Sequence, residues 1–386
     1  MTPRLFLLEP PHPGDDWAPW AGVRPIAELR AGVFRIGDRW KQFLGLDEVL
    51  VMSPATPRFA DVGSFPLAPG AVVGPAVVAR SNFAPIGRPM PIPTGTKALA
   101  VQGHAVAWML GPGEPWEGPA DVPDALEVKA LRLNGASDLV TACERLIEDD
   151  CAALAAEDGS GVPAGAIVIG DPALVVVRTA SVEPQVVFDV RKGPIILEPD
   201  SVVRAGSRLE GPLYLGPHSW LLGGSVRQSV IGPHCRVHGE MTSTVMIGYA
   251  NKSHDGFVGH TIIGQWANLG AGTITSNLKN TYGPIRLDLP NGRIETGRNN
   301  LGSLVGDHAK TGIGTLLSTG TVVGAGANVI GPSIPRAVRP FTWDGIETLT
   351  LGGFLTIARR VMPRRGVDVT PEIEASLAAL HGRLAR

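Results

Sequence analysis

Apolar and polar positions change their rhythm near residue 190, and that change divides the chain. Before it, short apolar runs alternate with stretches of helical spacing, the pattern of an α/β domain. Leu5–Leu8 and Val49–Met52 read as buried strands. Ile26 to Phe43 carries apolar residues at mixed helical spacing. Asp138–Leu154 is a clearer helix, with Leu139, Ala142, Cys143, Leu146 and Ile147 on one face. Between them, residues 53–123 are dense in Pro and Gly and predict loops and short strands.

From about Gly193 a period of six takes over. Leu197, Val203, Leu209, Leu215 and Leu221 keep one phase, with Ser201, Ser207, Ser219 and Ser225 four positions after four of them. The rhythm returns as Val305, Thr311, Leu317, Val323 and Val329, with Ala309, Thr315, Thr321 and Ala327 four positions on and Gly306, Gly312 and Gly324 directly after. Neither a helix nor a flat strand puts every sixth residue on one face. A coil of three six-residue sides per turn does, with the aliphatic pointing inward and small residues at the corners. A Gly-rich antiparallel sheet with accidental spacing is the competing reading, and two runs of five in phase weigh against it. The expected fold is thus an α/β domain over 1–190, an all-β left-handed parallel β-helix over 191–340, and a tail over 341–386.

Residues 275–300 leave the hexad. There Ile285 to Glu295 alternates around Asn291-Gly292, a hairpin signal, and so long an excursion from a coil serves function or assembly. In the tail, Thr348–Val361 and Thr370–Leu384 read as helices, the second with Thr370 as cap and Pro371 in its first turn. Its stripe of Ile373, Leu377, Leu380 and Leu384 is a docking face.

Composition narrows the function. Lys plus Arg number 34 against 36 Asp plus Glu, a net charge of −2, so no basic excess marks a nucleic-acid or anionic-membrane partner. Aromatics at 5% leave little for a base-stacking platform. Cys143, Cys151 and Cys235 make neither a disulfide framework nor a zinc spacing, which suits a reducing compartment. The apolar run of MTPRLFLLEPP is too short for a signal peptide, and no stretch is long enough to span a bilayer. A cytoplasmic protein is expected.

The densest polar cluster in the coil is Asn251-Lys-Ser-His-Asp-Gly-Phe-Val-Gly-His260, followed by Ile263 to Asn277. Coils of this kind have smooth walls, so a pocket implies neighbouring copies, most simply a homotrimer. In such a groove His254 could take a proton from an amine attacking an acyl thioester, with backbone N–H groups of Gly270-Ala-Gly272 at the oxyanion. Its ordinary reading is a surface histidine. A zinc centre would need three converging histidines, and only the pairs His234/His238 and His254/His260 are close.

The block from His254 to Asn277 resembles the acetyltransferase domain of bifunctional N-acetylglucosamine-1-phosphate uridylyltransferase/glucosamine-1-phosphate acetyltransferase, over about 190–332. The resemblance implies that His254 is catalytic and that Asn268 and Asn277 contact the amino sugar. It implies that Ala271 lies at the acetyl group and that Asp307 and Ala325 line the site of an acyl-coenzyme A co-substrate, acetyl-CoA in that family. Thr242 stands where the family has a basic residue for the sugar phosphate, Phe257 where it has tyrosine, and Asp307 where it has serine, so the acceptor could be another amino-sugar phosphate or a nucleotide sugar. Arg24-Pro-Ile-Ala-Glu-Leu-Arg30, with Gly32, Ile36 and Trp40, and the tail residues Phe341 to Trp343 and Arg359 to Arg365, resemble sugar nucleotidyltransferases that carry a hexapeptide C-terminal half. Nucleotidyl transfer needs a phosphate cradle and Mg²⁺ carboxylates. Leu5–Leu8 runs into Glu9-Pro-Pro-His-Pro-Gly instead of a Gly-rich loop, and Ile26 replaces the lysine. Arg24 and Arg30 could supply charge, with Glu28 or Asp138 on Mg²⁺, or the same residues could be a structural salt-bridge set. The sequence thus leaves open an acyltransferase, a nucleotidyltransferase with a purely trimerising coil, and a nucleotide-sugar-binding scaffold.

Overall fold

The structure, a computed structural model, describes all residues except 1–2, 11–13, 53–58, 88, 90, 157–158, 160, 290–291, 333, 345 and 386. Its N-terminal part is a mixed α/β domain. Six strands lie in the order Val49–Met52, Arg4–Leu8, Ala76–Arg80, His104–Leu110, Ala98–Val101, Leu126–Glu127, the first three parallel. Period-two alternation sends Leu5 and Leu7 into the main core and Phe6 into a smaller cluster on the opposite face. Two helices, α1 (Ile36–Leu44) and α2 (Asp138–Ala155), pack into the main core. The helical spacing from Ile26 is therefore only partly realised. Ile26–Glu28 is a single 3₁₀ turn and Arg30–Ala31 pairs with Phe34–Arg35 across Gly32. Gly32 has φ +69°, and a Cβ there would meet Asp150 Oδ2 at 2.3 Å, so the chain turns where an unbroken helix would have run on.

The hexad region is a parallel β-helix with three sides, each a ladder of short strands. Side one runs from Ile167–Ile169 through Ser207–Glu210 to Phe257–Gly259, side two from Val175–Val177 to Ala337–Val338, and side three from Ser181–Val182 to Thr342–Trp343. Register stacks the inward residues in columns. Leu197, Leu215, Ile231, Met246, Ile263, Val305 and Val323 fill side two. The coil begins at Ile167, about one turn before the boundary at 191 read from the hexads.

The rest of the chain covers two parts of this prism. Outward residues of side two, including Ile196, Val230, Val245 and Ile262, join the core of the N-terminal domain. The excursion folds there too. Its strands Arg286–Leu289 and Gly292–Glu295 pair as the expected hairpin, although Asn291 of the turn lies outside the described residues, and Ile285, Leu287 and Leu289 enter the same core. The tail forms α3 (Leu351–Val361) and α4 (Pro371–Leu384), with Thr350 Oγ1 and Thr370 Oγ1 accepting from Gly353 N and Ile373 N as caps. Phe354, Leu355, Ala358, Leu377 and Leu380 pack over the corner between sides two and three, with Tyr249, Trp266 and Ala325. The corner between sides three and one is not part of either packing. Among the described residues no helix is long and apolar enough to cross a membrane.

Candidate functional site

Side three presents an outward column of Trp220, Arg236, Asn251, Asn268 and Lys310 on successive coils. Alternation turns the residue after each of them inward, so Lys252 stands between Val237 and Leu269 inside the prism, 1% exposed. Its Nζ donates to the carbonyls of His254 and Asp255, the latter at 3.0 Å. Burial pushes Lys252 down to about 8. The buried amine thereby ties down the turn that carries His254. Gly256, at φ +129°, closes that turn where a Cβ would meet Thr273 O at 2.3 Å. On the coil next along, Gly272 N donates to Asp255 O at 3.1 Å, and on the preceding coil His238 Nδ1 lies 3.1 Å from Asp255 Oδ1.

His254 itself is exposed at the corner between sides three and one. It lines a cavity of about 570 Å³ with Asn251, Ser253, Asn268 and Lys310. Asn251 Nδ2 donates to Asn268 Oδ1 at 2.8 Å, and Ser253 Oγ donates to Asn251 Oδ1, so the amide pair is pre-oriented. Ala271 sits at the same corner one coil on. The N–H groups on either side of it are taken: Gly270 N donates to Thr311 Oγ1 at 3.0 Å and Gly272 N to Asp255 O. Of the three N–H groups expected at an oxyanion, that of Ala271 is the one without a partner among the described residues.

The other sequence-designated residues lie elsewhere. Asn277 and His260 share the far corner of side one, 2.8 Å apart through Nδ2 and Nδ1, and His260 Nε2 is 3.4 Å from Glu144 on α2. Burial holds His260 below its usual pKa. Thr242, where the resembling family is basic, accepts from Arg227 Nε at 3.0 Å one coil away. Asp307 and Ala325 occupy the corner sealed by the tail and the N-terminal domain, Asp307 at 1% exposure. The Asp307 carboxylate accepts from Trp20 Nε1, Arg24 Nε and Gln265 N at 3.1, 2.8 and 2.9 Å, which ties it to the domain junction.

Arg24 and Glu28 lie together in a buried set of ion pairs. Arg24 bonds Glu28 at 2.8 Å, lies 3.7 Å from Asp61, and reaches Asp307, all with nearly sealed side chains. Burial alone would lower the Arg24 pKa, but the surrounding carboxylates hold it above the usual guanidinium value. Glu28 also accepts from Phe65 N. Arg30 Nε donates to Ile247 O at 3.0 Å and lines an interdomain cavity of about 320 Å³ with Arg35 and Asp38. Asp138 accepts from Asn134 N. Among the described residues no three His, Cys, Asp or Glu side chains converge to hold a metal.

Two features escaped the sequence reading. His218, His234, Tyr249, Trp266 and His308 stack along the corner between sides two and three at 4.6, 4.6, 4.4 and 6.1 Å, all at positive φ. Their spacing of 16, 15, 17 and 42 residues follows coil length, and would have been visible only as residues recurring after the Gly that follows each side-two strand. The second is a set of cations along side three, Arg236, Lys310, Arg364 and Arg365, two of them from the tail.

The chain joins an α/β domain to a parallel β-helix, with an exposed histidine beside a polar, cation-lined cavity. It is a distant homologue of bifunctional nucleotidyltransferase/acetyltransferase proteins. It is 31% identical over 150 residues to the bifunctional sugar-1-phosphate nucleotidylyltransferase/acetyltransferase of Sulfurisphaera tokodaii, covering 36% of this chain and 35% of that one. It is 34% identical over 86 residues to bifunctional protein GlmU of Methanocaldococcus jannaschii, 22% of this chain and 21% of the relative. With bifunctional protein GlmU of Methanococcus vannielii it shares 30% identity over 125 residues, 31% and 28% of the two chains. The chain thus spans about a third or less of the length of these curated relatives. No protein-family model matches it.

Proposed function

We propose that the coil transfers an acyl group, acetyl in the simplest case, from acyl-coenzyme A to the amine of an amino sugar or its phosphate, with His254 as general base. The observation that carries this reading is the corner itself: an exposed His254 on a turn tied down by Lys252, beside the oriented Asn251–Asn268 pair and the unpartnered Ala271 N–H. The amine attacks the thioester carbonyl while the imidazole takes its proton. The tetrahedral oxyanion accepts from Ala271 N–H, the C–S bond breaks, and the imidazolium returns the proton to the departing thiolate. Asn268 and Asn251 offer both donors and acceptors to sugar hydroxyls. The name of one distant relative, a sugar-1-phosphate nucleotidylyltransferase/acetyltransferase, supports acetyl transfer in a sugar-phosphate context.

We assign the coil a homotrimeric assembly. Ile274 and Leu316, paired outward on side one, and Ile313 and Ile330 at the corner next to Ala271 are 40 to 80% exposed, an apolar surface beside the site that a second copy would cover. Asn277, on the far corner of its own chain, would then face the His254 of a neighbour. Acyl-CoA and sugar-phosphate chemistry make the cytoplasm the compartment of the reaction. The nucleotidyl reading loses support because Arg24 and Glu28 are consumed in the domain junction.

The direct test is release of free coenzyme A thiol from acetyl-CoA with a panel of amino sugars, their phosphates and their nucleotide derivatives. Thiol release with at least one acceptor is expected. None with any of them, alongside pyrophosphate release from a nucleoside triphosphate and a sugar-1-phosphate, would overturn the proposal in favour of nucleotidyl transfer.

A further inference from the structure

The cations of side three exceed what proton transfer at His254 requires. Arg236, Lys310, Arg364 and Arg365 line the cavity of His254, and no Asp or Glu is among its lining residues. The cavity of about 450 Å³ that adjoins it shares Arg236, Arg364 and Arg365, and its one acid, Asp200, faces His218. Among the described residues none of the four cations is ion-paired.

What holds them is carbonyl oxygen. Arg236 Nη1 donates to His218 O and Cys235 O at 2.8 and 2.9 Å, and its guanidinium lies 4.1 Å from the Trp220 ring centroid. Arg365 Nε donates to His234 O at 3.2 Å, and its Nη1 to Arg364 O. Each guanidinium carries five N–H donors in a planar fork, so both retain unused ones. Lys310 Nζ is buried with no hydrogen-bond partner. Burial pushes Lys310 down to about 8, and burial followed by the repulsion of Arg365 pushes Arg236 down to about 10. A buried ammonium without a partner and two half-buried guanidiniums, Arg236 and Arg365, without a carboxylate are a cost that a bound anion removes, and exposed Arg364 adds charge beside them.

The placement is also directional. By register Arg236 stands one coil before Asn251, and Lys310 one coil after Asn268. At about 4.8 Å per coil the Asn pair and His254 lie between two cationic ends. The tail contributes Arg364 and Arg365 to one end, so its turn after α3 (Met362–Arg365) borders the cavity as well as capping the coil.

We propose that this groove binds the phosphate or diphosphate group of a substrate that reacts at His254, through Arg236, Arg364 and Arg365 of one chain and Lys310 beside the reacting end. The inference rests on the acyl-transfer reading for its reaction but not for its binding. It supplies charge on side three of the coil, away from Thr242, where the resembling family has a basic residue for phosphate.

Titration calorimetry of the full chain with inorganic pyrophosphate at pH 7 tests it. Binding is expected, weakened at least tenfold by Arg236→Gln and by Arg365→Gln, and weakened by Lys310→Met. Displacement of pyrophosphate by coenzyme A would assign the phosphate to the acyl donor, and displacement by glucosamine 1-phosphate to the acceptor. No binding of pyrophosphate, coenzyme A or sugar phosphate at millimolar concentration would overturn the proposal, as would wild-type affinity in both arginine variants. The wild-type chain separates the two readings. Pyrophosphate binding by a wild-type chain that shows no acyl transfer with any acceptor leaves the groove and removes the reaction. Acyl transfer with wild-type KM for both substrates in the arginine variants does the reverse.

Discussion

Replacing Arg24 by Met keeps most of the side-chain volume and removes the one cation among three buried carboxylates. Glu28, Asp61 and Asp307 surround it, with Trp20, Gln265 and Trp266 donating to the same acids. Burial already lifts the Asp61 carboxyl to about 6 with the arginine present. Removing one partner of a buried pair costs about 3–5 kcal/mol, because the remaining charge is left uncompensated. For a unit of 150–250 residues each kcal/mol shifts the midpoint by about 2–4 °C, so a fall on the order of 6–20 °C is expected at pH 7. Thermal unfolding followed by tryptophan fluorescence suits the measurement, since Trp20 and Trp266 bond directly to Asp307 and Asp61. The deficit should shrink toward pH 5, as the Asp61 carboxyl takes up a proton. An unchanged midpoint together with lost nucleotidyl transfer would refute the reasoning, because it would return Arg24 to catalysis.

The Glu9 carboxylate, which accepts from Ile26 N and Ala27 N, is pushed by burial up to about 7 from a usual 4.5. A folded-state pKa above the unfolded one gives stability that is complete below about pH 4.5 and lost as pH rises through 7, by up to about 3 kcal/mol. Glu9→Gln should flatten that part of the urea-midpoint profile, and an identical slope in both proteins would count against the assignment. At the proposed subunit contact, Ile313→Asp with Leu316→Asp should convert a trimer to monomers by light scattering. A monomeric wild type at micromolar concentration would remove the interface.

The hexad was legible because each aliphatic stands alone in a fixed phase, and the inward columns of Leu197, Leu215 and Val305 follow directly from it. The first coil, Ile167 to Val182, was not, because Val175 to Val177 and Val186 to Val190 offer apolar residues in more than one phase. Within the site, His254, Asn268 and Ala271 are close in sequence, and the coil brings them to one corner. Lys252 was hidden by its type, since a lysine between Asn251 and Ser253 reads as solvated until register places it inward. The Arg24–Asp307 contact spans 283 residues and has no local signature. It brings Arg24, expected near a nucleotide, and Asp307, expected near coenzyme A, into one junction. In the sequence Arg364 and Arg365 stand out only for their resemblance, and the path of α3 is what sets them beside the coil.

Comparison of His254→Ala with His260→Ala in the acetyl-CoA thiol-release assay bears most directly on the account. The two histidines flank one strand, Phe257–Gly259, at opposite corners, one exposed in the cavity and the other packed between Asn277 and Glu144. A positioned general base contributes about 100- to 10,000-fold. His254→Ala should therefore lower kcat at least ~100-fold with the assembly and midpoint of the wild type, while His260→Ala leaves kcat within a few-fold. Equal and small effects from both substitutions would contradict the account.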